Sequence, residues 1–302
     1  MLPFARVSII GLGLIGSSIA RAVRAQMPGV TLTGHDANAQ VRETVRAMNL
    51  LDDVTDTPGA AVIDADIVIL CVPVGAMEEV AASIAGDLPP EAIISDAGSS
   101  KASVAAAFAA ALPNHVAIPA HPVAGTERSG PEAGFASLFH NRWCILTPPE
   151  GCDPGKVAQL QAFWERLGAN VEIMDAQHHD LVLAITSHLP HLIAYTIVGT
   201  ASDLEAVTRS EVIKYSAGGF RDFTRIAASD PTMWRDVFLT NKDAVLEMLQ
   251  RFSEDLTALQ RAIRWGDGDA LFDLFTRTRA IRRSIIEQGQ DDERPDFGRA
   301  DH

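Results

Sequence analysis

Two rhythms of apolar and polar positions divide this chain. Through the first half, short apolar runs alternate with segments whose apolar positions recur at helical spacing: residues 7–10 before 14–26, 31–34 before 39–48, and 67–72 before 76–84. Further runs at 92–95 and 116–119 bracket an Ala-rich helical stretch, 102–112. Strands alternating with helices at this interval predict βαβ units on a parallel sheet, an α/β, Rossmann-type doubly wound architecture. The run 143–147, the breakers Pro148, Pro149, Gly151 and Pro154, a helical stretch through Leu167 and a short run at 171–174 predict a last αβ addition to that sheet. From Asp175 onward the rhythm is helical only, with Val237, Leu239, Val245, Leu246, Leu249, Leu256 and Leu259 at helical intervals. The expected division is therefore 1–174 for the α/β domain, 175–289 for an all-helical domain, and 290–302 for a disordered tail. That tail holds Asp291, Asp292, Glu293, Arg294 and Pro295 and little to bury.

One apolar stretch, 181–198, is about as long as a bilayer span. It contains Ser187, His188, Pro190 and His191, and two imidazoles and a proline need protein partners in lipid. The expectation is a buried helix and no membrane partner. Apolar faces on successive helices predict that the helical domain buries itself against a second copy, giving a homodimer.

Composition narrows the partners. With 25 basic and 39 acidic residues the chain has a net charge of -14, which repels phosphate backbones and anionic membranes, so no nucleic-acid partner is expected. A small anionic substrate would need arginines inside its site. Cys71, Cys144 and Cys152 show neither paired spacing nor a His/Cys ligand pattern, so neither a disulfide framework nor a metal site is expected, and the compartment is read as cytoplasmic. The amino terminus lacks the basic and apolar regions of a signal peptide.

Residues 6–20, RVSIIGLGLIGSSIA, place Gly11, Gly13 and Gly16 in GxGxxG register between a predicted strand and helix. Asp36 stands twenty residues after Gly16 at the end of the next run, the arrangement of a dinucleotide site. Gly11 permits the tight turn, Gly13 lets backbone approach a pyrophosphate, and Gly16 lets helix and strand pack closely. Leu14 and Ile15 open the helix whose dipole faces the phosphates. A carboxylate at Asp36 accepts ribose hydroxyls and repels a 2′-phosphate, so NAD is the expected cofactor. Val72 and Pro73, in LCVPV at 70–74, are expected to line the nicotinamide side.

Chemistry concentrates in HPVAGTERSG at 121–130, which sets a base, a hydroxyl, a carboxylate and a guanidinium beside glycines. It follows the run at 116–120, and residues just past a strand's carboxyl end face the ligand crevice of an open α/β sheet. SDAGSSK at 95–101, SHLPH at 187–191 and GGFRDFTRIAASDPTMWRD at 218–236 are similarly rich in polar and special residues.

Together with the glycine fingerprint, these segments resemble the prephenate dehydrogenase family, which includes arogenate and cyclohexadienyl dehydrogenases of tyrosine biosynthesis. The resemblance implies NAD-dependent oxidative decarboxylation of prephenate to 4-hydroxyphenylpyruvate and carbon dioxide, with arogenate as the other family substrate and tyrosine as an inhibitor to be tested. It places the catalytic histidine at His121, its hydroxyl partner at Ser99, the substrate-binding arginine at Arg225 and a second substrate-site histidine at His191. Thr126 and Glu127 match positions near the substrate side chain and the entrance. Gly218, Asp222 and Trp234 match positions that shape or orient the pocket, and His188 is a supporting position. GSSK departs from the more frequent GSVK, leaving Ser100 as a competitor to Ser99. No chorismate mutase segment precedes residue 7 and no regulatory βαββαβ pattern follows residue 288, so a single activity is expected.

The residue types suit that reaction. An imidazole of ordinary pKa about 6.5 takes the hydroxyl proton near neutrality as hydride leaves, and Arg225 can hold a carboxylate bidentately, oriented by Asp222 one helical turn before it. A β-hydroxyacid-type dehydrogenase shares the layout but needs a lysine or aspartate acid/base on the first interdomain helix, where this chain has histidines and no lysine. A silent NAD-sensing regulator needs the fingerprint without His121 or Arg225.

Overall fold

The computed structural model describes residues 2–208 and 214–287. Six of the expected and unexpected apolar runs share one parallel sheet: β1 (Arg6–Ile10), β2 (Thr31–His35), β3 (Asp53–Val54), β4 (Ile67–Leu70), β5 (Ile93–Asp96) and β6 (Val116–Ala117), in the order β3-β2-β1-β4-β5-β6. The helices α1 (Leu14–Gln26), α2 (Ala39–Ala47), α3 (Pro58–Val62), α4 (Met77–Ile84) and α5 (Lys101–Ala111) connect them. The central strands are continuous in apolar residues because both faces are covered. One face packs Ile9, Leu32, Ile69, Phe163 and Trp164, the other Ile10, Val68, Ile94, Val104 and Phe108. Strand order reverses at β1 and β4, and the carboxyl ends of those strands open the crevice in which such sheets take their ligands.

The last αβ unit does not extend this sheet. β7 (Ala120–Pro122), β8 (Trp143–Leu146) and β9 (Asn170–Ile173) form a separate three-stranded sheet, with β7 and β8 antiparallel and α6 (Pro154–Arg166) before β9. The cause is local. Ile118 donates its amide to Ile94 on β5, but Pro119 has no amide, and that of Ala120 turns to the Asp96 carboxylate at 3.0 Å. The chain leaves the first sheet there, so His121 lies within a short strand opposite Ile145 rather than just beyond one.

Beyond β9 every described element is helical: α7 (Ala176–Leu183), a π-turn (Ala184–His188), α8 (Leu189–Thr208), α9 (Gly218–Thr224), a 3-10 turn (Arg225–Ala228), α10 (Pro231–Thr240), α11 (Lys242–Trp265) and α12 (Gly268–Glu287). By length and composition Ala176–Asp203 could cross a membrane. It is not the buried helix expected from its apolar run: 28% of its most apolar window is buried, and Leu181, Ile185, Ile197 and Val198 are exposed. Its buried side carries polar His179, Asp180 and His188 beside Leu183, Ala184, Leu189 and Ala194.

Residues up to Leu246 form one compact unit and a second begins at Glu247. The change from strands to helices at 174/175 lies inside the first. In the second, Leu256, Ile263, Trp265, Phe272, Phe275 and Ile281 are exposed. The tail expected from Gln290 lies outside the described residues.

Candidate active site

The glycine turn after β1 is built for close backbone approach. Gly11 has φ 95°, and a Cβ there would meet the Cys71 carbonyl oxygen at 2.4 Å. One at Gly16 would meet the Gly11 carbonyl oxygen at 2.0 Å. Gly13 differs, with nothing within 4 Å of an added Cβ, so the turn faces open space at that residue. Gly13 is also the N-cap of α1 and provides no side-chain cap, which leaves first-turn amides, at Leu14 and Ile15, for an anion. Asp36 accepts from the Leu12 amide and from the Asn38 amide, each at 2.8 Å. Its carboxylate is thus fixed beside the turn with lone pairs to spare. Val72 touches the same turn, its Cγ1 3.2 Å from where a Gly11 Cβ would stand, and Pro73 is exposed beside it. The cradle fits a dinucleotide.

His121 enters from β7 and is buried. Its Nδ1 lies 2.8 Å from His179 Nε2, and His179 Nδ1 lies 2.8 Å from Asp180 Oδ1. Nε2 of His121 meets no hydrogen-bond partner among the described residues. Asp180 caps α5 from another helix: the Lys101 amide donates to Oδ1 at 2.7 Å and the Ala102 amide to Oδ2 at 3.0 Å. Beneath lies a buried ion pair, Lys101 Nζ on Asp96, with Nζ also donating to the Ala120 carbonyl at 2.8 Å. Asp96 and Lys101 together hold the amide and the carbonyl of Ala120, the residue before His121.

Burial, then His179, Lys101 and His188, hold the His121 pKa well below the usual histidine value, so its ring is neutral. Burial likewise lowers His179. Burial opposes the charge of Asp180, but His179 and the Lys101 and Ala102 amides outweigh it and keep that carboxyl below the ordinary range. His188, in the π-turn, is pushed down to about 4, by burial first. A π-turn at such a position is frequent at functional sites.

A second group flanks this one. His191 stacks on Trp234, centroids 3.6 Å apart at 23°, and the Arg225 charge joins burial in lowering its pKa. Arg225 Nη1 donates to Glu127 Oε2 at 2.8 Å. The sequence-based expectation that Asp222 orients Arg225 is not met: Arg225 begins the 3-10 turn after α9, and its carboxylate partner comes from the loop after β7. Gly218 and Asp222 are exposed on α9, and no hydrogen bond joins either to the groups above. Thr126 is half-buried, its hydroxyl accepting the Arg128 amide at 3.2 Å. Ser100 is buried with its hydroxyl bonded to Thr240 at 3.1 Å, whereas Ser99 is half-buried. His179, Asp180, Lys101 and Asp96 escaped the sequence reading. The signal for the first two was a His-His-Asp run opening the first helix after the sheets.

Residues 19–173 match the prephenate dehydrogenase nucleotide-binding domain, and residues 175–277 match the prephenate dehydrogenase dimerization domain. The chain belongs to the prephenate dehydrogenase family. Among curated members of this family, the cyclohexadienyl dehydrogenase of Zymomonas mobilis is 47% identical over 285 residues, 94% of this chain and 97% of that protein. The prephenate dehydrogenase of Bacillus subtilis is 33% identical over 284 residues, 92% of this chain and 76% of that one. Among solved structures of prephenate dehydrogenases, that from A. aeolicus in complex with hydroxyphenyl propionate and NAD+ aligns with a TM-score of 0.87 at 32% identity, covering 94% of this chain and 98% of that chain.

Proposed function

We propose that this protein is an NAD-dependent prephenate dehydrogenase that also accepts arogenate. The observation that carries the reading is His121: a neutral, buried imidazole with Nδ1 engaged by His179 and Nε2 free, as a proton acceptor for a substrate hydroxyl needs. Its relatives' names, the matched family and the fit of the Gly11–Gly13–Gly16 turn support the cofactor and the reaction.

Bound NAD supplies the hydride acceptor. The amides at the start of α1 would hold its pyrophosphate, Asp36 its adenosine ribose, and Val72 and Pro73 would border the nicotinamide. Arg225 takes a substrate carboxylate, exchanging it for Glu127, while His191 on its Trp234 platform and Thr126 bound the rest of the substrate. Ser99, whose neighbour Ser100 is committed to Thr240, offers its hydroxyl to the substrate hydroxyl. As hydride departs from the carbon bearing that hydroxyl, its proton passes to His121 Nε2. The carboxylate on the opposite ring carbon leaves as carbon dioxide, its bonding electrons completing the aromatic ring. That loss drives the reaction, so the protein's tasks are alignment and proton removal.

The exposed apolar residues of α7, α8, α11 and α12 support a homodimer through the matched dimerization domain. The free thiols Cys71, Cys144 and Cys152 suit a reducing cytoplasm. Incubation with NAD and either prephenate or arogenate, followed by absorbance of reduced cofactor, tests the reading. Turnover of both is expected, and turnover of neither removes it. Including tyrosine in the same assay tests inhibition at the substrate site.

A further inference from the structure

We propose that His179 and Asp180 are positioning residues that fix which nitrogen of His121 carries its proton, keeping Nε2 unprotonated for the substrate hydroxyl. This rests on His121 being the proton acceptor, as above.

The direction of the chain is set from its far end. Asp180 is a carboxylate at the first turn of α5, where two backbone amides donate to it at 2.7 and 3.0 Å, and the helix dipole favours its charge. A carboxylate only accepts. His179 Nδ1, at 2.8 Å from Oδ1, must therefore be the donor. A neutral imidazole with its proton on Nδ1 has a lone pair on Nε2, and that lone pair faces His121 Nδ1 at 2.8 Å. His121 Nδ1 must then donate, which leaves Nε2 as its basic nitrogen. Two neutral rings and one anion form a single polarised line ending at the substrate. Burial, which disfavours both imidazolium forms, keeps the line in this state. A histidine side chain free in water prefers the opposite tautomer, with the proton on Nε2, so the arrangement requires this support. Asn241 steadies it by donating to the Asp180 carbonyl at 2.8 Å. An acidic group that orients a catalytic imidazole and selects its tautomer has precedent as a mechanism.

The test is nitrogen-15 NMR of the intact protein labelled at histidine, with the His121 resonances assigned by their loss in His121→Asn. At pH 7.5 the wild type is expected to show His121 protonated at Nδ1 and bare at Nε2. His179→Phe is expected to shift His121 toward Nε2–H and to lower kcat about 100-fold, with KM changed by less than about threefold. His179→Gln, whose amide can donate to Asp180 and whose carbonyl can accept from His121, should recover about tenfold of that loss. A wild-type His121 protonated at Nε2, or one that keeps Nδ1–H in His179→Phe, overturns the proposal. The tautomer is read without turnover. A wild type showing the expected tautomer but inactive on prephenate and arogenate would refute the reaction while supporting the relay.

Discussion

Arg225 and Glu127, 98 residues apart in sequence, form an ion pair at 2.8 Å between the turn after α9 and the loop after β7. Both side chains are only about one-third exposed, at 37% and 33%, so a substrate carboxylate replacing Glu127 meets a partly desolvated guanidinium. Charge-assisted pairs of this kind contribute about 1.5–3 kcal/mol. Arg225→Gln should raise the KM for prephenate by about tenfold or more with a smaller change in kcat. Arg225→Lys should not restore it, because an ammonium lacks the planar fork. Initial-rate kinetics over a wide substrate range decide this, and an unchanged KM in Arg225→Gln would assign carboxylate binding elsewhere.

His121→Asn removes the basic nitrogen but leaves a polar side chain in the strand. Turnover should fall by about a hundredfold or more while KM stays nearly constant. The direction of the wild-type pKa adds a second expectation. Burial and the neighbouring His179, Lys101 and His188 push it well below 6.5, so the base form persists as pH falls through the ordinary histidine range. The profile of kcat/KM should stay flat there and bend only at lower pH. A half-maximal point at or above pH 6.5 would contradict the neutral, buried ring.

Two glycines of the turn should separate by substitution. An added methyl at Gly16 collides with the Gly11 carbonyl oxygen at 2.0 Å, and such overpacking costs about 1–3 kcal/mol. Gly16→Ala should therefore lower the melting temperature of the protein without ligand. At Gly13 the methyl meets nothing within 4 Å, so Gly13→Ala should melt as the wild type does and still bind NAD more weakly. Calorimetry of the free protein and titration with NAD provide both readings.

Asp36 holds the Leu12 amide while Arg42 Nη1 donates to the Asp36 carbonyl at 2.8 Å. Removing the carboxylate leaves a guanidinium anchored beside the ribose position. Asp36→Ser should narrow the ratio of kcat/KM for NAD over NADP, and an unchanged ratio would place cofactor choice outside this residue.

The cofactor turn was legible because its physics is local: a strand, three glycines and the start of a helix lie within fifteen consecutive residues, and Asp36 follows at the next strand end. His121 was legible through its segment, though its setting was not. Pro119 diverts the chain into a second sheet, and a missing amide at one residue does not show in an apolar rhythm. The His121–His179–Asp180 line was invisible for a different reason. Its members are 58 residues apart at one joint and adjacent at the other, and what ties Asp180 to α5 is backbone amides, which have no letter in a sequence. Asp222 misled because its spacing from Arg225 suits a helix. The guanidinium emerges from the turn that follows the helix, within reach of Glu127. The apolar run at 181–198 suggests burial because composition cannot distinguish core from an exposed apolar helix face.

His188 makes the protein's stability depend on pH in a stated direction. It is fully buried and bonded to Asn241 at 3.1 Å, and its pKa is lowered to about 4 by burial, with His179 and His191 adding and Asp180 opposing. In the unfolded chain the same ring titrates near 6.5. Between those values the unfolded state binds a proton that the folded state refuses, so stability rises with pH across that window. The contribution is fully present above about pH 6.5 and is lost progressively as pH falls toward 4. The loss reaches about 3 kcal/mol at the bottom of that range. His121 and His179, lowered for the same reason, act in the same direction. Urea unfolding from pH 8 to pH 4.5 should show a plateau and then a decline. His188→Gln, which keeps an amide for Asn241 and does not titrate, should be less stable at pH 8 and show a shallower decline. An equal decline in both proteins would assign the acid sensitivity to groups other than this ring.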